Sequence, residues 1–203
     1  MRLQRPLTTS AAIGALLLLA ACGDEAGDVP DEQVQTTEPA TTEPAATGTF
    51  HDTGGQEVGT VELTEGAGTT EVSVRVTGLE PGFHGLHVHD IGECEPDSVD
   101  PQDPESTGDF LSAGGHLNPD DADHGEHAGD LSSLLVLENG EAVLTTVTDR
   151  FTVADLGDAD GTAFMVHSDY DNFAHIPERY GEPDADTLGT GDAGDRVACA
   201  VIE

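Results

Sequence analysis

Hydrophobic and polar residues alternate one for one along "TTEVSVRVTG". Val72, Val74 and Val76 fall on one side of an extended chain, and Glu71, Ser73, Arg75 and Thr77 on the other. A period of two marks a strand with one buried face. "GTVELT" just before it repeats the pattern and "EGAG" between them supplies a turn, so residues 58–77 predict a hairpin. In "SLLVLENGEAVLTTV", Asn139-Gly140 separates two β-prone runs; both turn positions favour positive φ, which predicts a second hairpin. "GTAFMVHSD" and "DRVACAVI" add apolar runs of strand length, and no segment after the first 21 residues carries a sustained helical stripe. The class is all-β, a Greek-key sandwich or barrel of about eight antiparallel strands. Two long irregular stretches, 91–130 and 168–195, interrupt the ladder. Loops of that length in a compact domain are usually functional.

The beginning of the chain follows other rules. Arg2 and Arg5 precede an apolar run at 11–21 that is too short to span a bilayer, so residues 1–21 read as a secretory leader. The run ends "LAAC", similar to the lipobox of bacterial lipoproteins, in which the leader is cut before a cysteine that takes a lipid; here that is Cys22. Residues 22–45 are acidic, rich in Thr and Pro and free of aromatic residues. They cannot bury enough apolar surface to offset chain entropy, and they predict a disordered tether. Residues 46–203 remain as one domain. The expected location is outside the cytoplasm, anchored through lipid on Cys22 to the outer face of the membrane or the cell envelope.

Charge narrows the partners. The chain has 41 acids, 6 arginines and no lysine, for a formal net charge of −35 at pH 7. Repulsion excludes nucleic acid and anionic lipid surfaces. An acidic coat of this kind suits concentrated salt. With Cys22 assigned to lipid, Cys94 and Cys199 are left in a chain exported to where disulfides persist, so their pairing is the default. Closing a loop of about 105 residues contributes roughly 4–5 kcal/mol in the chain-entropy model.

The candidate chemistry lies in histidine. "HGLHVHDIGEC" places three of the chain's nine histidines, His84, His87 and His89, within six residues. On a strand His87 and His89 share one face, with Leu86 and Val88 on the other and His84 opposite the pair. Two imidazoles side by side suit a transition metal, although such a pair with nothing else around it is more often a polar strand face. His116 in "AGGHLNP", His124, His127 and Asp130 in "DHGEHAGDL", and His167 in "MVHSDYDN" fall in or beside the two long loops.

The blocks "GFHGLHVH", "GGHLNP", "HAGDL", "VHSDYDN" and "GDAGDRVACAVI", in that order, resemble the copper/zinc superoxide dismutases, specifically their secreted bacterial lipoprotein branch, over residues 46–202. The resemblance implies copper held by His87, His89, His116 and His167. It implies zinc held by His116, His124, His127 and Asp130, with the His116 ring shared. Asp171 would hydrogen-bond one histidine of each site, Arg196 would dock the superoxide anion beside copper, and Thr190 would narrow the channel mouth. Cys94 and Cys199 occupy the matching disulfide places. The implied reaction is dismutation of superoxide to oxygen and hydrogen peroxide, with His116 carrying a proton. The alternative is a non-catalytic copper-binding lipoprotein that buffers or delivers the metal; Arg196 and Thr190 argue against it, because a store has no anion to dock. Two features depart from the family pattern. Gly189 stands where many members carry lysine, and His124 and His127 are only three apart, which shortens the zinc loop. His84 reads as a structural brace, His51 and His175 as solvent-facing, and Asp169 as one more surface acid. No residue pattern sets an oligomeric state.

Overall fold

The computed structural model describes residues 43–203; the leader, Cys22 and most of the tether lie outside the described residues. The strands are β1 (Ala46–Asp52), β2 (Glu57–Glu65), β3 (Thr70–Thr77), β4 (Gly82–His84), β5 (Leu86–His89), β6 (Ser98–Val99), β7 (Thr107–Gly108), β8 (Leu134–Val136), β9 (Glu141–Thr148), β10 (Ala163–His167) and β11 (Arg196–Val201). A seven-stranded sheet runs in the order β5-β10-β11-β1-β2-β3-β9, and β4 pairs with β8. All pairings are antiparallel. Because β4 and β5 continue one another across Gly85, the sheet and the β4-β8 pair together curl into a barrel of eight staves with Greek-key crossings, as the sequence predicts. The remaining ribbon, β6-β7, belongs to the first long loop, and a short α-helix, α1 (Ala185–Thr190), to the second.

The first hairpin follows the alternation, with β2 and β3 in register from Gly59↔Val76 to Glu65↔Thr70. The second differs from expectation. Only Gly140 takes a positive φ, 78°. The Leu137 N–H donates to the Glu141 carbonyl at 2.9 Å, closing a three-residue loop with a bulge instead of a two-residue turn. The strands then part, β8 to pair with β4 and β9 with β3, so the turn is a corner between sheets.

Inside the barrel, Val61, Leu63, Val72, Val74, Leu86, Val88, Phe164 and Val166 are fully buried with their neighbours. Each such side chain contributes about 1.5–3 kcal/mol by leaving water. Alternate residues of β5 and β10 point outward, yet every residue of both strands is buried. The cause is a cover: the two long loops lie over this wall. A small apolar cluster of Phe110, Ala113, Ala163, Met165 and Cys199 seals part of the outer face. The histidines occupy the rest.

Candidate metal centre

His87 and His89 project outward from β5 while Leu86 and Val88 enter the core, as the alternation requires. His167 ends β10 at a bulge that shifts the register and sets it opposite Arg196. Bulges of this kind re-aim a side chain beside a site. The first long loop docks on the free edge of β5 at two places. The Leu117 N–H donates to the Val88 carbonyl at 2.8 Å, and the Val88 N–H donates to the Gly129 carbonyl at 2.9 Å. His116 and Asp130 are thereby bridged to His89 and His87 respectively.

The hydrogen bonds set which nitrogen of each ring is free. His89 donates from Nδ1 to the Gly114 carbonyl at 2.9 Å, and His167 donates from Nδ1 to that of Gly194 at 3.1 Å. His87 donates from Nε2 to Asp171 Oδ2 at 2.9 Å. What remains are His87 Nδ1, His89 Nε2 and His167 Nε2, all buried and all without a hydrogen-bond partner. Buried polar atoms of this kind call for an occupant. With one nitrogen of His116 they form a set whose donor atoms lie within 4.8 Å of one another. Burial, the largest cause, holds the His89 and His167 rings well below the ordinary imidazole range and lowers His116 to about 3. The rings are therefore neutral, with lone pairs ready for a metal.

A second set forms around Asp130. Its Oδ1 lies 3.0 Å from His116 Nδ1, 3.2 Å from His124 Nδ1 and 3.2 Å from His127 Nδ1, and the two nitrogens of His116 and His127 are 3.3 Å apart. Four donors around a tetrahedral ion with bonds of 2.0–2.1 Å stand about 3.3 Å from one another, so the spacing suits zinc. The other carboxylate oxygen, Oδ2, accepts from the N–H groups of Gly125 at 2.7 Å and His127 at 3.1 Å, which leaves Oδ1 for the metal. Burial would raise the Asp130 carboxyl, but its hydrogen bonds and charge contacts with His116 and His124 outweigh that and hold it well below the usual carboxylate range. His124 moves the other way: against desolvation, its contacts with Asp130 and Asp171 raise it to about 9.

The short loop reaches this arrangement through tight turns rather than a helix. Asn118 clamps Ala122, accepting its N–H at 2.9 Å and donating to its carbonyl at 2.9 Å, and Gly125 adopts φ 88°. Asp171 joins the two sets. It accepts from His87 at Oδ2 and from His124 Nε2 at Oδ1, 2.8 Å away, and also from the Phe173 N–H at 2.7 Å. Gly191 stands directly against this junction; a methyl group there would collide with Asp171 Oδ1 and His124 Nε2.

Arg196 opens β11, its guanidinium donating from Nη1 to the Phe110 carbonyl and from Nη2 to the Gly114 carbonyl, both at 2.7 Å. Phe110 takes a left-handed φ of 58°, held by its buried ring, to aim that carbonyl. The Cys94–Cys199 disulfide, spanning 105 positions, ties the loop that carries these carbonyls to β11. Thr190 is exposed at the end of α1, where its hydroxyl donates to the Asp186 carbonyl at 2.8 Å; Gly189 beside it faces open space. His84 is buried away from both sets, with Nδ1 2.6 Å from the His167 carbonyl and Nε2 2.8 Å from that of Glu80. His51, Asp169 and His175 are exposed. Sequence reasoning missed the carbonyls of Phe110, Gly114 and Gly194, because backbone acceptors leave no mark in a side-chain pattern.

The profile of the family described as copper/zinc superoxide dismutase matches residues 57–202. A superoxide dismutase (Cu-Zn) from Mycobacterium tuberculosis is 47% identical over 158 residues, 73% of this chain and 65% of that protein. The chain thus spans less than two thirds of that relative's length. Among solved structures, the Cu/Zn superoxide dismutase from Brucella abortus is 33% identical with a TM-score of 0.60, covering 78% of this chain and 99% of its own. A SOD-like protein from Bacillus subtilis aligns with a TM-score of 0.60 at 25% identity, covering 76% of this chain and 96% of its own.

Proposed function

This chain belongs to the copper/zinc superoxide dismutase family, and we propose that it dismutes superoxide to oxygen and hydrogen peroxide outside the cytoplasmic membrane. The observation that carries the reading is the placement of Arg196, whose Nη2 shares an acceptor with His89, so a fixed cation sits against the four-imidazole set. Copper held by His87, His89, His116 and His167 would supply one-electron cycling between oxidation states, and zinc held by His116, His124, His127 and Asp130 would fix the shared ring.

The chain's own groups do the rest. Arg196 carries its charge in a planar fork suited to docking a small anion, and its two bonds to backbone carbonyls leave it little freedom to swing away. His116 has Nδ1 engaged by Asp130 on the zinc side, which leaves Nε2 as the atom that takes a proton and returns it to the product. Asp171 fixes the ring of His87 and the ring of His124 together, so neither can rotate its free nitrogen out of place. The proposed export and anchoring rest on the short apolar run, on "LAAC" and on Cys22.

Metal analysis of the purified chain, joined to a superoxide-decay assay, tests this reading. Copper near one equivalent with accelerated decay is expected. Copper-loaded protein that leaves decay at its background rate would instead point to metal storage.

A further inference from the structure

Arg150 lies just beyond the end of β9, 23 positions from His127 in sequence, and its Nη1 donates to the His127 carbonyl at 2.9 Å. We propose that Arg150 is a positioning residue for the second metal: by holding the peptide after His127, it presents His127 and Asp130 to zinc together. The inference rests on the zinc half of the reading above.

The shortened loop explains why such a brace is needed. His124 is held at its own N–H by the Leu188 carbonyl at 2.8 Å, and the loop ends are held on Val88. The turn that sets His127 and Asp130 is tied mainly to itself, through Asp130 Oδ2 on the Gly125 and His127 N–H groups. Its own closing bond, from the Asp130 N–H to the His127 carbonyl, is 3.3 Å, at the long end for a backbone bond. That same carbonyl receives the shorter bond from Arg150. Among the described residues it is the contact by which a barrel side chain grips this turn. A cleft of about 270 Å³ otherwise separates the turn from the end of β9, lined by Gly125, Asp130, Ser132, Thr146 and Arg150. Without the guanidinium, that carbonyl keeps only the long bond from the Asp130 N–H, and any shift of this peptide carries the Nδ1 of His127 and the carboxylate of Asp130 with it. A positive charge beside a cation site is electrostatically unfavourable, so bracing and repulsion act in opposite directions on zinc affinity.

Arg150→Met keeps an unbranched stem about as far as the guanidinium and removes every donor; Arg150→Lys keeps the charge and one donor group. Zinc dissociation constants for the full chain and both variants are measured by competition with a chromophoric chelator. Cobalt(II) spectra at the same site report the geometry. The expected result is zinc binding about 10- to 100-fold weaker in Arg150→Met, the range for residues that orient ligands. Arg150→Lys should fall between, the cobalt spectrum of Arg150→Met should depart from the tetrahedral form, and the circular dichroism of the metal-free chains should not change. Zinc affinity within twofold of the unaltered chain, or higher in Arg150→Met, would overturn the brace. If the unaltered chain itself gives no tetrahedral cobalt spectrum, the zinc reading fails instead, and the two failures are thus told apart.

Discussion

Arg196 and His89 share one acceptor, the Gly114 carbonyl oxygen, 2.7 Å from Nη2 of the first and 2.9 Å from Nδ1 of the second. The group expected to meet the substrate and the group expected to hold copper are therefore set by the same peptide, and the disulfide pins the loop that carries it. Arg196→Ala should slow superoxide removal by roughly 10- to 100-fold, the worth of one or two hydrogen bonds to a charged group. Copper should stay bound, because no ligand is lost. Stopped-flow decay and copper analysis of the same sample check both halves, and an unchanged rate would remove Arg196 from the docking role.

Asp171 takes one histidine of each set. Asp171→Ala should weaken zinc by about 10- to 100-fold and broaden the copper spectrum as well, since both rings lose their orienting acceptor. Calorimetric titration with zinc and the spectrum of the copper-loaded protein are the measurements. An effect confined to one metal would mean that the bridge orients only one ring.

The metal-free protein should be least stable in acid. The rings of His89, His167 and His116 titrate well below 6.5 in the folded chain, burial being the main cause, while in the unfolded chain they titrate near 6.5. The unfolded state therefore binds more protons below about pH 6.5, and stability falls by about 1.4 kcal/mol per pH unit for each such ring. Asp130 and Asp171, lowered in the folded chain, add to the loss below about pH 4. His124 acts oppositely: raised to about 9, it stabilises fully below 6.5 and loses that contribution as pH rises through 9. Urea midpoints at about pH 5, 7 and 9 should fall more steeply on the acid side. A metal-free chain more stable at pH 5 than at pH 7 would contradict the neutral rings.

Salt and charge can be set against each other at Gly189. Asp109 and Asp195 flank Arg196 in its groove, and the chain as a whole repels an anion. Screening shortens from about 10 Å at 0.1 M salt to about 3 Å at 1 M, so it should remove the distant repulsion before the contact at Arg196. The rate constant should hold level or rise over roughly that range of salt. Gly189 has open space for a side chain, so Gly189→Lys should raise the rate at low salt and make added salt inhibitory. A steep fall with salt in the unaltered protein would mean that a positive channel already dominates.

Cys22→Ala should move the protein from the membrane fraction to the soluble one without altering activity per copper. Membrane association that persists in this variant would argue against a lipid on Cys22.

Where a pattern uses side chains, the sequence was legible. Val72, Val74 and Val76 announce β3, and the outward pair His87 and His89 follows from the same period of two. β1 was harder, because Ala46, Gly48 and Phe50 on its inner face include one large apolar residue. The Asn139-Gly140 turn was legible as a turn but not as a corner, since partner choice lies with β4 and β3 far away in sequence. The residues that cluster in the two candidate sets were legible through resemblance; the tautomers were not, because they depend on carbonyls of Gly114 and Gly194 that only the fold brings near. Arg150 read as one of few cations, and nothing local linked it to His127.

Three of the four imidazoles proposed for copper stand on strands, with their free nitrogens already chosen by the bonds behind them. A cage made this way is finished when the two long loops dock on the closed barrel. The ion is then a late arrival, unlike the metal of a zinc finger, whose binding energy folds the chain around it. Choice among competing metals falls to the shape of the finished cage and to whatever the surroundings offer at that moment.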